Sequence, residues 1–211
     1  MKFLELLLQL LLKPKKQEII KKVEPAQEKP KVAIIIGHDS KEQGASVYTG
    51  STEYVWNSNV AEIMLQKASE LDLRVFSRDG IGRQGVADLV GAFAPKLSIE
   101  LHLNSFQTKA LGCEVLYHAD NPEDKELAQD LANMISDNFK TRLRADKGAK
   151  AIDMGDRGHI NLLSVLEKGV DHVLLVEPCF ANIETSESKA IIENPEKYAE
   201  VLLDFIKKVL T

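Results

Sequence analysis

Apolar residues recur along this chain with two different periods, and the switches between them mark its elements. KVAIIIG, residues 31–37, is a short β-branched run ending in glycine, and it predicts a buried strand. Val60, Met64, Leu65, Ala68 and Leu71 follow at three- and four-residue spacing, predicting an amphipathic helix over 54–70. LRVFS predicts a strand, and Val86, Leu89, Val90 and Phe93 predict one face of the next helix. LSIELHL and GCEVLYH are two further strands, and Leu127, Leu131, Ile135 and Phe139 mark a helix over 123–140. VDHVLLVEP, closed by Pro178, predicts another buried strand. Asn194-Pro195-Glu196 opens a C-terminal helix to Val209, with proline at the first helical position. Strands alternating with helices imply one sheet covered on both faces, which is the α/β class.

Residues 1–30 differ in kind from the rest. FLELLLQLLL, residues 3–12, contains Glu5 and Gln9, and it falls well short of the ~20 apolar residues a membrane span needs. It lacks a small-residue cleavage site and only Lys2 precedes it, so no secretory signal is recognised. Ten residues are too few to hold a helix alone in water, so the segment reads as a short helix that docks on the domain or self-associates, with contact to a membrane surface the lesser alternative. The Lys/Pro-rich stretch after it reads as a solvated linker, leaving one domain over 31–211.

Composition narrows the function classes. With 211 residues, 44% hydrophobic and 28% charged, the chain suits one globular domain and is not globally disordered. A net charge of −5 argues against a protein whose main task is gripping nucleic acid phosphates. Cys113 and Cys179 are too few and too far apart for a disulfide scaffold or a zinc ribbon, and both read as small buried hydrophobes.

In open α/β sheets functional side chains gather at the carboxyl ends of strands. Those ends here carry Gly37-His38, His102-Leu103-Asn104 and Glu177-Pro178, and Glu53 lies just ahead of the first helix. Two histidines and one carboxylate supply three protein ligands and leave a fourth tetrahedral position open, as a hydrolytic zinc site requires. A further carboxylate outside the ligand set is needed to move a proton, and Glu177 is placed for that. A single His at a strand end is more often a structural residue, and a single acid more often a surface charge. Their joint occurrence at strand boundaries reverses those odds.

VAIIIGHDSKEQGA, STEYVWNSNVA, LSIELHLNS, GCEVLYH and VLLVEPCFANIE together resemble the zinc-dependent N-acetylmuramoyl-L-alanine amidases of the amidase-3 family, closest to endolysin catalytic domains. The resemblance runs over Lys31 to Thr211 in the family's motif order. It implies a single twisted, mostly parallel sheet of about six strands with helices on both faces. It implies that His38, Glu53 and His102 hold Zn²⁺ and that Glu177 is the catalytic acid/base. The implied substrate is peptidoglycan, cut between the lactyl group of N-acetylmuramic acid and L-alanine. With no secretory signal recognised, the endolysin likeness implies a protein kept in the cytoplasm until it is released onto the wall, and a host autolysin exported by another route is the alternative.

The first block reads Gly-His-Asp-Ser where many relatives have Gly-His-Gly-Gly, and Asp39 there reads as exposed rather than as an orienter of the metal ligand. Asn104, Glu114 and Arg157 are candidate substrate-binding residues, Arg157 as a bidentate partner for a stem-peptide carboxylate. Each also has a plainer structural reading as a turn cap, an ion-pair member or a surface arginine. His118, His159 and His172 match no ligand position and read as structural or exposed. Two other readings stay open: a carboxypeptidase-like zinc enzyme acting on another amide, and a wall-binding module that has kept the fold without catalysis.

Overall fold

The computed structural model describes residues 28–107 and 110–210, so the expected leucine-rich segment at 3–12 lies outside the described residues. Six strands are present: β1 (Lys31–Ile36), β2 (Asp72–Phe76), β3 (Leu97–Leu101), β4 (Glu114–His118), β5 (Ala149–Ile152) and β6 (His172–Glu177). They form one sheet in the order β2-β1-β3-β6-β4-β5. The helices among the described residues are α1 (Glu53–Lys67), α2 (Gly82–Phe93), α3 (Asp124–Phe139), α4 (His159–Leu166), α5 (Ser186–Ile192) and α6 (Pro195–Leu210). None of them is long and apolar enough to cross a membrane.

Alternation along each strand sends its two residue sets to opposite faces. Val32, Ile34 and Ile36 of β1, Leu97, Ile99 and Leu101 of β3, and Leu174 and Val176 of β6 pack with side chains of α1, α3 and α6 in the larger core. Ala33, Ile35, Leu116, Ile152, Val173 and Leu175 face the other way, against Val86, Val90 and Phe93 of α2 and Leu162 and Val165 of α4. Among the described residues the second face carries only these two helices, and α4 has eight residues. The carboxyl ends of β3 and β6 are therefore left open on that side.

The sheet is mostly parallel, as expected, with one reversal. β2, β1, β3 and β6 run parallel, β4 pairs antiparallel with β6, and β5 runs parallel to β4. That reversal sets the start of β4 beside the end of β6, with Glu114 opposite Glu177.

Two helix faces differ from the periodicity reading. Leu65 and Leu89 are exposed, because α1 buries Trp56, Val60, Ala61 and Met64 and α2 buries Val86, Ala87, Val90 and Phe93. The first helix also stops at Lys67 rather than 70, with Ala68 and Leu71 buried beyond its end. Cys113 and Cys179 are both buried and free, and burial pushes both thiols up.

Candidate metal centre and cleft

β1 ends at Ile36, and the Gly37 N–H donates to the Leu101 carbonyl (2.9 Å), which ties the ends of β1 and β3 together. His38 follows in the left-handed region, with φ of 66°, an uncommon conformation outside glycine that marks a constrained turn. Glu53 begins α1 behind the N-cap Thr52, whose side chain accepts from the Val55 N–H. His102 comes one residue after β3, with its N–H on the Val176 carbonyl (3.0 Å).

Strand ends and helix start converge on the Glu53 carboxylate. Its Oε2 accepts from the Ala45 N–H (2.8 Å), and its Oε1 accepts from the Leu103 N–H (2.8 Å) and from His102 Nδ1 (2.8 Å). His38 Nε2 lies 3.3 Å from Oε2. One ligand atom from each of His38, Glu53 and His102 falls within 4.8 Å of the others.

The far side of the His102 ring is held as firmly. Its Nε2 donates to Glu100 Oε1 (2.9 Å), and the same oxygen accepts from Arg78 and from Asn161 Nδ2 (3.0 Å). Arg78 and Glu100 are both buried. Burial opposes charge on His102, but Glu100 and Glu53 overcome it and raise the ring to about 10. Burial would likewise raise Glu53, yet hydrogen bonds from His102 and His38 hold it well below the ordinary carboxylate range.

This donor set fits a zinc-type divalent ion. Two imidazole nitrogens and one carboxylate converge, and the second nitrogen of one imidazole is backed by a carboxylate that fixes its orientation. Gly44, at φ of 74°, keeps the approach clear, because a Cβ there would collide with Glu53 Oε2 and the His38 ring.

These residues line a cleft of about 680 Å³ that also contains Glu177, Glu114, Asn104 and Arg157. All seven residues singled out from the sequence thus border one space. Asn104 Nδ2 donates to Glu177 Oε2 (2.6 Å) and to Glu114 Oε1 (2.9 Å), bridging the two facing carboxylates. Glu114 also pairs with Arg144 Nε (3.3 Å). Burial pushes Glu177 up to about 7, with the His102 charge opposing and Glu114 and Glu53 adding to the rise. Asp39 points elsewhere: its Oδ1 accepts from the Lys41 and Glu42 N–H groups, so it organises its own loop and is half-buried rather than exposed.

Sequence reasoning missed Glu100, Arg78 and Asn161. The signal for Glu100 was present, since an acid two residues before His102 in a buried strand must point to the same face. Arg78 and Asn161 arrive from separate loops and helices, and no local pattern announces them.

A family model described as N-acetylmuramoyl-L-alanine amidase matches residues 32–208. No curated protein matches the chain. Among solved structures, the chain is similar to the N-acetylmuramoyl-L-alanine amidase from Clostridium difficile 630, with a TM-score of 0.69 and 22% identity over 87% of this chain and 97% of that one. It is similar also to the catalytic domain of CD27L endolysin targeting Clostridia difficile, with a TM-score of 0.63 and 20% identity over 85% of this chain and 97% of that one. The amidase AmiC2 of Nostoc punctiforme gives a TM-score of 0.64 and 20% identity over 88% and 99% of the two chains. At these identities the structural likenesses speak for the fold, and the family match over 32–208 decides the rest: the chain belongs to the N-acetylmuramoyl-L-alanine amidase family.

Proposed function

We propose that this amidase hydrolyses the amide between the lactyl group of N-acetylmuramic acid and L-alanine of the stem peptide, with Zn²⁺ held by His38, Glu53 and His102. The observation that carries the reading is the convergence of those three donors in one cleft with Glu177. When bound, zinc supplies a Lewis acid for the amide carbonyl and a positive charge that makes water more acidic.

Glu177 does the proton work. Its carboxylate sits near 7 in the metal-free cleft, close to the pH at which a group can both take and return a proton. As carboxylate it accepts the proton of the attacking water, and as acid it delivers that proton to the departing alanine nitrogen. Asn104 fixes the oxygen it touches and leaves the other oxygen for the proton transfers. Arg83 and Arg157 line the cleft and have no ion-pair partner among the described residues. Both suit the carboxylates of a stem peptide, and Arg guanidinium binds such groups bidentately.

Digestion of purified peptidoglycan tests the reading, with released products identified by mass spectrometry. Stem peptides bearing a free N-terminal alanine are expected, lost on chelation and restored by zinc. Glu177→Gln should keep its metal and lose roughly 10²–10⁴-fold in turnover. Wall left intact by zinc-loaded protein, or full turnover in Glu177→Gln, would show that the bond or the acid/base is wrongly assigned.

A further inference from the structure

His118, Asp153 and His159 match none of the family positions used above, yet they also place one ligand atom each within 4.8 Å of one another. His118 ends β4 and is fully buried. It lies four residues beyond Glu114, about 13 Å from it along the strand. Ile152 pairs with His118 across the β4–β5 ladder, so Asp153 is the first residue past the end of β5. His159 begins α4.

We infer that these three side chains form a second metal site, one that takes a borderline divalent transition ion of the zinc type. The donor set, two imidazoles and a carboxylate, is one such ions accept. His118 Nε2 lies 3.0 Å from His159 Nδ1, and zinc–nitrogen bonds of about 2.0–2.1 Å at tetrahedral angles need about 3.3 Å. A movement of a few tenths of an ångström therefore converts the pair into two ligands.

The proton inventory permits this. The Asp120 N–H donates to His118 Nδ1 (3.2 Å), which puts the His118 proton on Nε2, facing the lone pair of His159 Nδ1. On metal binding His118 carries that proton on Nδ1 instead, so the Asp120 N–H must turn away and the exposed Asp120 carboxylate, now 3.7 Å from Nδ1, must close in to take its place. A carboxylate behind a ligating imidazole is the usual backing of such a ring. Asp153 Oδ1 holds the Met154 N–H (2.6 Å), and the carboxylate has a second oxygen to offer.

The site also has a structural consequence. Asp153 and His159 bracket the segment 154–158, and that segment contributes Arg157 and Gly158 to the wall of the catalytic cleft. A metal bound there clips this wall to the buried end of β4.

Zinc titration of the metal-free full-length chain against a chromophoric chelator tests the inference, independently of the amidase reading. Two zinc ions per chain are expected in the native protein and one in His159→Ala. Asp153→Asn, a surface change with little risk to folding, should weaken one of the two sites at least tenfold. Circular dichroism confirms that each variant is folded. Two ions retained in His159→Ala overturn the inference. One ion in both proteins overturns it as well and leaves the His38 centre intact. One ion in the native chain and none in His159→Ala supports this site while removing the proposed catalytic one.

Discussion

Glu100 is the residue on which the proposed metal centre leans most from outside its ligand set. It accepts from His102 Nε2, Arg78 and Asn161, all at one buried oxygen. Burial would raise its carboxyl, yet the His102 hydrogen bond and the Arg78 charge hold it below the usual range. Glu100→Gln keeps the shape and removes the charge, leaving Arg78 buried beside a neutral amide. Losing such a backing carboxylate costs typically 10–100-fold in metal affinity, and breaking a buried pair costs about 3–5 kcal/mol of stability. Both losses are expected, read by chelator competition and by urea unfolding, and unchanged zinc affinity would remove Glu100 from the site. The proposed ligands and Glu177 could be singled out from the sequence because each stands at a boundary that glycine, proline or a helix start announces. The residues that hold them in place were not, because their partners come from distant parts of the chain.

At the scale of elements, what could be read was whatever was long or strongly periodic. Five of the strands and the helices at 53–67, 82–93, 124–139 and 195–210 match the periodicity reading within a few residues. β5 and α4 escaped it. AKAI offers four residues, one of them Lys150, and its strand character comes from pairing with β4 rather than from its own pattern. α4 starts behind Gly158 in a left-handed conformation with no side-chain cap. The capping box of α5, Thr185 with Ser188, uses serine where the usual signal is an acid or amide.

The loop from β1 to α1 shows how an element's conformation protects chemistry. Gly44 has φ of 74°, and a methyl group there would strike Glu53 and His38 together. Gly44→Ala is expected to cost about 1–2 kcal/mol from the left-handed backbone alone. It should also lower zinc affinity well beyond what Ala substitution in an open loop does. Gly50, at φ of 92° with nothing within 4 Å of its would-be Cβ, supplies the control. Gly50→Ala should share the backbone cost and keep the metal affinity. Equal affinities in the two variants would mean that crowding at Gly44 is irrelevant to the site.

For the whole molecule, the reversal at β4 gathers chemistry from four directions. The proposed ligands come from the ends of β1 and β3 and the start of α1, and the facing carboxylates come from the antiparallel β4–β6 pair. The larger core lies on the opposite face of the sheet, so the cleft can carry buried charge without interrupting it. That buried charge has a measurable consequence for the chain as a whole. Metal-free His102 is raised to about 10 by its two carboxylates, against an unfolded value of about 6.5. Its contribution to stability is therefore fully present below about pH 6.5 and is lost as the pH rises through about 10.

Zinc at the proposed centre would compete with the same proton, because a ligating imidazole nitrogen must be unprotonated. Between pH 7 and 9 the metal-free protein holds the His102 proton, and a form with zinc on His102 would not. Apparent affinity should therefore rise about tenfold per pH unit, with about one proton released for each ion bound. Stabilisation by zinc grows in step, about 2.7 kcal/mol at a free concentration 100 times Kd. For a chain of this size each kcal/mol shifts Tm by roughly 2–4 °C. His159→Ala isolates the His38 centre for this measurement. Calorimetry in two buffers of different ionisation enthalpy then counts the protons. A pH-independent affinity with no proton released would mean that His102 keeps its proton in the metal form, and so that the ion is held by other groups.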